Sequence, residues 1–457
     1  AAWEDFESTI GKVEMDIPES ENDIPDYLDE VKYELDWLLK MQFEDGSVSH
    51  KLTELRFSGF VQPAAHKDPR YFTPFSTAAT ADFAAIIAKA ARIYKPYDSD
   101  FAETCLIAAE KAYSFLTENT ANINLDDHFP EGNPFRTGSY KTIDGDDRLW
   151  AAVELFETTG DPVYLERFES VANGHNGFIS LDSFDWGDVK NLGTFVYLKS
   201  KRPERDPEIV AHLEALMLST ASTILENKDG NPFGRGLRSY FWGSNGTQIR
   251  TCMILHAANL IEPDDKYLDA CVEQIDYLYG RNYYGRSQVT GIGYYPPCNP
   301  HDRRSGSDSV KRPYPGLLVG GGSDSTNWVD LQGSYETNEV AINWNGALVY
   351  ALAWFLKGES TVSEVDFEPE YNDCTEKAPP PPPQYVPEDT DTGNEQDSDS
   401  ENETDSEQDT EADTDTEDDR DAGNNDGIKI TDGSCYCSTL GIKSSVFGID
   451  MLNLLFI

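Results

Sequence analysis

Long apolar runs are missing from this sequence. No uninterrupted stretch reaches the ~18 residues needed to cross a bilayer, and the opening AAWEDFEST has neither the basic nor the apolar segment of a secretory leader. The chain does not begin with Met, so it reads as one entered partway along a longer protein. Positive charge is scarce: 36 Lys and Arg stand against 83 Asp and Glu, a formal net charge of -47. About nineteen of those acids, with one Arg, fall in residues 388–426, so much of the imbalance belongs to a tail. The remainder is still too acidic to attract a phosphate backbone, which is held through Lys and Arg, and nucleic acid is excluded as a partner. Cys-x-x-Cys pairs are absent. Cys105, Cys252, Cys271 and Cys298 stand alone, as buried small apolar residues do. The seven His lack the paired spacing on one helix that a catalytic zinc needs, so no metal site and no required cofactor is expected.

What is present is helical periodicity. Leu28, Val31, Leu35, Leu38 and Leu39 recur at helical spacing in residues 26–42, behind Pro25. Ser76 caps an Ala-rich run to residue 94, whose small side chains permit close helix packing. A helix from about residue 98 carries Phe101, Cys105, Ala109, Ala112 and Leu116 on one side. Further helices are expected near 146–159, 162–171, 187–200, 207–226, 245–261, 265–279 and 338–356. The junctions LFETTGDPVYLERF and NLIEPDDKYLDACV each end one helix and start the next through a short turn containing Asp. A chain of such hairpins without alternating strands predicts an all-α architecture of stacked or closed helix pairs. The long connections are rich in Gly, Pro and aromatics, above all residues 282–336, which points to functional loops.

Acid-base hydrolysis needs a proton donor for the leaving group and a second carboxylate that activates water, so carboxylates in aromatic-rich loops are the candidates. The densest aromatic and acidic segment is WVDLQGSYETNEVAINWNGALVYALAWF, residues 328–355, with Glu339 where a loop enters an apolar helix. Burial there would raise its pKa and keep it protonated; a helix cap is the bland alternative for such a Glu. This stretch resembles the second active-site signature of glycoside hydrolase family 9 through Trp328, Asp330, Tyr335, Glu339, Ala341 and Asn345, with Gly346 where the family has a small Ala, Ser or Thr. VTGIGYYPPCNPHDRRSG, residues 289–306, resembles its other signature, with His301 and Arg303 after the Asn-Pro pair and Asp302 in place of a second His. PGLLVGGGSDS, RYFTPFSTAATADFAA, DDRLWAAVELFETTGD, FDWGDVKNLGTFVYL and FWGSN continue the similarity, which covers residues 1–356.

The resemblance implies an (α/α)6 barrel, a β-1,4-glucan substrate such as cellulose, and inverting hydrolysis with Glu339 as general acid. It places Asp330 and Tyr335 in the floor of the site as orienting or substrate-contacting groups. His301 and Arg303 would supply donors to sugar hydroxyls, and Trp242 a stacking platform, with Trp186 and Tyr71 as weaker candidates. The Asp-Ala-Gly-Asp segment that activates water in the family is not found. The expectation is that its aspartates lie upstream of Ala1, that the barrel of the chain as written is incomplete at its N-terminus, and that this chain is nearly inactive alone. Asp146, Asp147, Asp185 and Asp188 match other positions. Two other readings stay open: the same family acting on xyloglucan, mixed-linkage glucan or oligosaccharides, and a surface-attached glucan-binding protein without catalysis.

The expected organisation is a catalytic domain over residues 1–360, a disordered Pro-rich and acidic linker over 361–434, and a short apolar segment with cysteines over 435–457. That last segment reads as an altered end or as a surface-sorting signal, giving a secreted or bacterial cell-surface location. A calcium loop in DAGNNDGIKITD fails, because aligning Gly427 puts Ala422 and Gly433 at ligand positions. A structural calcium ion elsewhere stays open, with no residues to assign to it.

Overall fold

A computed structural model of the protein describes residues 1–15, 17–356, 374–375 and 378–381. The two expected C-terminal segments, the failed calcium loop included, lie largely or wholly outside the described residues.

Helices α1 (Ala2–Ile10) and α2 (Asp26–Leu38) lead into a loop region that holds one short antiparallel pair, β1 (Leu52–Thr53) against β2 (Tyr71–Phe72). The hairpins then follow in order: α3 (Thr77–Tyr94) with α4 (Ser99–Glu118), and α5 (Gly145–Thr159) with α6 (Pro162–Ala172). Next come α7 (Lys190–Lys199) and α8 (Pro207–Asp229), then α9 (Ser244–Ile261) with α10 (Asp265–Tyr279). After a long loop, the one-turn α11 (Tyr335–Asn338) precedes α12 (Ile342–Ala353).

Local chemistry sets these boundaries. Ser76 Oγ accepts from the Ala79 amide and Asp98 from the Phe101 amide, each satisfying an orphan donor of a first turn. The two repeated junctions use the same device, with Asp161 accepting from Val163 N and Asp264 from Lys266 N. Pro162 fits the first turn of α6 because it has no N–H to lose there. The alanines of α3 are buried against α4 and α5, and nearly all of α9 is buried. Among the described residues α8 alone is long and apolar enough to match a bilayer, at mean hydropathy 1.2. It places Ile209, Leu213, Met217, Ala221 and Ile224 in the core instead.

The first and last helices meet. Phe6 packs 5.2 Å from the Tyr350 ring and 5.0 Å from His256, and Asp5 accepts from Tyr350 Oη and Lys199 Nζ at 2.6 and 2.7 Å. On α12 the face bearing Ile342 and Gly346 is exposed.

The expectation of four lone cysteines is corrected for three of them. Cys252 and Cys271 form a disulfide that pins α9 to α10, and Cys298 is bonded to Cys374; of the four, Cys105 alone is a buried free thiol. The helix hairpin brings Cys252 and Cys271 face to face, a proximity that their separation of 19 residues does not reveal. Cys374 falls inside the segment read as linker, and its disulfide ties that one residue to Cys298.

Candidate active site

Glu339 is not a helix cap of the expected kind. The one-turn α11 ends at Asn338, and Glu339 is extended, with φ -67° and ψ 154°. It pairs with His301 in a parallel bridge while Val340 pairs with Val319. The His301 amide donates to the Asn338 carbonyl at 2.7 Å, and the Gly320 amide to the Glu339 carbonyl at 2.9 Å. This small ladder delays α12 to Ile342. It also welds the two sequence signatures into one backbone unit.

The Glu339 carboxyl is half-buried. Burial raises its pKa; the hydrogen bond from Trp242 Nε1, 2.9 Å away, and the neighbouring His301 and Arg303 partly oppose that rise. Trp242 is 50% exposed and Tyr335 47% exposed, with ring centroids 5.3 Å apart, so two aromatic faces stand beside the carboxyl and open to solvent. Gly243 holds the chain behind the indole at φ 85°, where an added Cβ would lie 2.4 Å from Trp344.

His301 is oriented by its Nδ1, which sits 2.7 Å from the Gln332 carbonyl and therefore carries a proton. Phe60 meets its ring edge-on at 5.2 Å. Arg303 donates from Nε to the Ser58 carbonyl at 3.1 Å and lies over the Phe57 ring. Asp302 turns away from this face: it is buried, accepting from Ser305 Oγ at 2.7 Å and from Arg304 Nε at 3.1 Å, so its exchange for His alters a turn.

Asp330 makes a different set of contacts. Its carboxylate accepts from the Cys298 and Asn299 amides at 2.9 and 2.8 Å, from Asn338 Nδ2 at 3.2 Å, and faces Arg286 Nη2 at 3.4 Å. Both oxygens are engaged in holding the Asn-Pro-His loop against the Glu339 ladder.

Tyr140 and Phe60 were not found by sequence reasoning. Tyr140 is 51% exposed, packs edge-on to Trp186 at 5.6 Å, and has its pKa raised by burial and then by the charge of Glu339. It takes a left-handed conformation at φ 50° beside Gly138, where a Cβ would touch its ring at 2.9 Å. An isolated Tyr in GSYK gives no periodic signal; only its Gly neighbour hints at it. Trp186 is thus placed with Tyr140, whereas Tyr71 packs with Phe135.

The other aspartates weighed as catalytic have structural partners. Asp185 pairs with Arg250 at 2.9 Å and accepts from Asn343, Asp188 accepts from Ser180 and Ser183, and Asp146 from the Val189 amide. Asp147 is buried against Asp82, and burial followed by the Asp82 charge pushes it up to about 11. Gly346, the departure in the second signature, faces open space and would accept a Cβ.

Endoglucanase D of Acetivibrio thermocellus is 50% identical over 369 residues, covering 80% of this chain and 58% of that protein. A xyloglucan-specific endo-β-1,4-glucanase of Bacteroides ovatus is 36% identical over 374 residues, covering 75% of this chain and 62% of the relative. The chain therefore spans somewhat over half the length of these relatives. The crystal structure of a metagenome-derived glycoside hydrolase family 9 endoglucanase superposes with a TM-score of 0.70 at 35% identity, over 78% of this chain and 66% of that one. The fold is the (α/α)6 barrel that the family resemblance implies. The sequence model for glycosyl hydrolase family 9 matches residues 1–352, and the chain belongs to that family.

Proposed function

We propose that this chain belongs to the catalytic domain of a secreted, endo-acting β-1,4-glucanase that hydrolyses cellulose-type glucan with inversion, Glu339 being the proton donor. The observation that carries this reading is the environment of Glu339: a half-buried carboxyl with a raised pKa, bonded to the exposed Trp242 indole, against which the exposed Tyr335 ring packs. A carboxyl whose pKa is raised stays protonated to higher pH than a free one and can protonate the leaving glycosidic oxygen, while a second carboxylate across the sugar activates water. Sugar faces pack on Trp242 and Tyr335. His301 and Arg303 donate hydrogen bonds to hydroxyls, and Asp330 positions the loop that presents them. The chemistry is proton transfer and water attack, and it requires no cofactor.

Specificity for xyloglucan is the second reading, favoured by the 36% identity to a xyloglucan-specific relative. We also propose attachment to the cell surface through residues 435–457, with the acidic run as spacer. Reducing-end release and product lengths on soluble cellulose derivatives, mixed-linkage glucan and xyloglucan test the enzymatic reading. Internal cleavage of unsubstituted glucan supports it. Glucan binding with no reducing ends released, by a form that carries the second, water-activating carboxylate, would leave a binding protein.

A further inference from the structure

The loop between β1 and β2 brings Glu54 together with the neighbouring pair His66 and Asp68. One donor atom from each lies within 4.8 Å of the others. His66 Nε2 is 3.3 Å from Glu54 Oε1 and 3.7 Å from Asp68 Oδ2. The His66 side chain is only 7% exposed, yet its Nε2 has no hydrogen-bond partner, and neither does the buried Glu54 Oε2. Leaving such groups unmatched costs stability. Bonds of about 2.0–2.1 Å at tetrahedral angles hold zinc ligands about 3.3 Å apart, close to the two spacings found here. A cavity of ≈ 280 Å³ lined by Thr53, Glu54, His66, Arg70 and Arg303 gives access from solvent.

We propose that Glu54, His66 and Asp68 bind a divalent transition-metal ion of the zinc type, with solvent completing the coordination. The imidazole and two carboxylates suit zinc better than a hard, all-oxygen ion. Arg70 opposes the ion. Its Nη2 is 3.1 Å from His66 Nδ1, which must carry a proton once Nε2 binds metal, so the exposed guanidinium has to turn away to solvent.

The consequence reaches the glucan-binding face without depending on catalysis. The same loop carries Ser58 and Phe57, which hold Arg303, and Phe60, which packs on His301. Gln62 Nε2 donates to the Arg304 carbonyl at 2.6 Å. An ion at the foot of this loop braces all four contacts.

The test is calorimetric titration of the full chain with zinc chloride in excess magnesium, which saturates the acidic run, together with cupric-ion electron paramagnetic resonance to detect a bound imidazole nitrogen. One equivalent of zinc should bind and raise Tm. His66→Ala should remove the nitrogen signal and weaken binding by at least the ~10–100-fold that loss of an outer-shell partner costs. Asp68→Asn changes a largely exposed side chain, so folding is not in question, and it should weaken binding as well; Arg70→Ala should tighten it. Zinc affinity unchanged in both His66→Ala and Asp68→Asn, or binding without a nitrogen signal, overturns the assignment. Should His66→Ala fail to fold, Asp68→Asn and the resonance signal decide the matter.

Discussion

Replacing Trp242 with Phe removes one donor from Glu339 and keeps an aromatic face for the sugar. In the native protein Nε1 donates to the carboxylate at 2.9 Å, and such a bond favours the ionised form. The indole thus opposes the burial that raises Glu339, and losing it should push the pKa higher still. Hydrogen bonds to charged groups contribute about 1.5–3 kcal/mol. Trp242 is 50% exposed, so solvent screening reduces that to about 1 kcal/mol here. At 1.36 kcal/mol per pKa unit, the shift is roughly half a unit to one unit. A general acid works only while protonated, so the alkaline limb of kcat/KM should move up by that amount in Trp242→Phe, with little change in KM. The assay is the pH profile of reducing-end release from a soluble cello-oligosaccharide, in an active form of the enzyme. An alkaline limb that stays in place, or moves to lower pH, refutes the reasoning.

Asp330→Asn sets an amide donor against the Cys298 and Asn299 amides, and should cost about 1–3 kcal/mol, read as a lower Tm together with weaker oligosaccharide binding. An unchanged Tm would return Asp330 to a direct role. A chain ending at residue 373 loses Cys374 and opens a disulfide that closes 76 residues, worth up to about 4 kcal/mol, whereas a chain ending at residue 383 should keep its Tm. Equal Tm values would show that the bridge adds nothing. Burial raises both Asp82, to about 7, and Asp147, to about 11, above their unfolded values. The pair's contribution is therefore fully present below about pH 4 and falls as pH rises, through about 7 for Asp82 and on to about 11 for Asp147, so Asp147→Asn should flatten the fall in Tm between about pH 5 and 8. A fall as steep as in the native chain would rule out the pair as its source.

Helical periodicity made the chain of helix hairpins legible because helices such as α2 and α10 bury one stripe, and the capped Asp junctions marked where one helix turns into the next. Asp265–Tyr279 has the bounds that its pattern predicts. The start of α12 was misread, since a hydrophobic pattern cannot register the His301–Glu339 bridge that holds residues 339–341 extended. The collinear signatures pointed to Glu339, His301 and Arg303 together. They could not tell that Asp330 faces backbone amides, that Asp302 turns inward, or that Tyr140 stands close enough for Glu339 to perturb it. Those facts are set by loop geometry, as are the disulfides and the meeting of Glu54 with His66 across the β1–β2 turn.

The role of Glu339 as proton donor is tested most directly by placing Glu339→Gln in an active form of the enzyme and comparing two substrates, because the amide keeps the shape and loses the proton. On a cello-oligosaccharide, whose leaving alkoxide needs protonation, turnover should fall by about 10²–10⁴-fold with binding unchanged. On a dinitrophenyl cellobioside, whose leaving group departs without a proton, the loss should be far smaller. Equal losses on both substrates, or full activity on the oligosaccharide, would contradict the assignment.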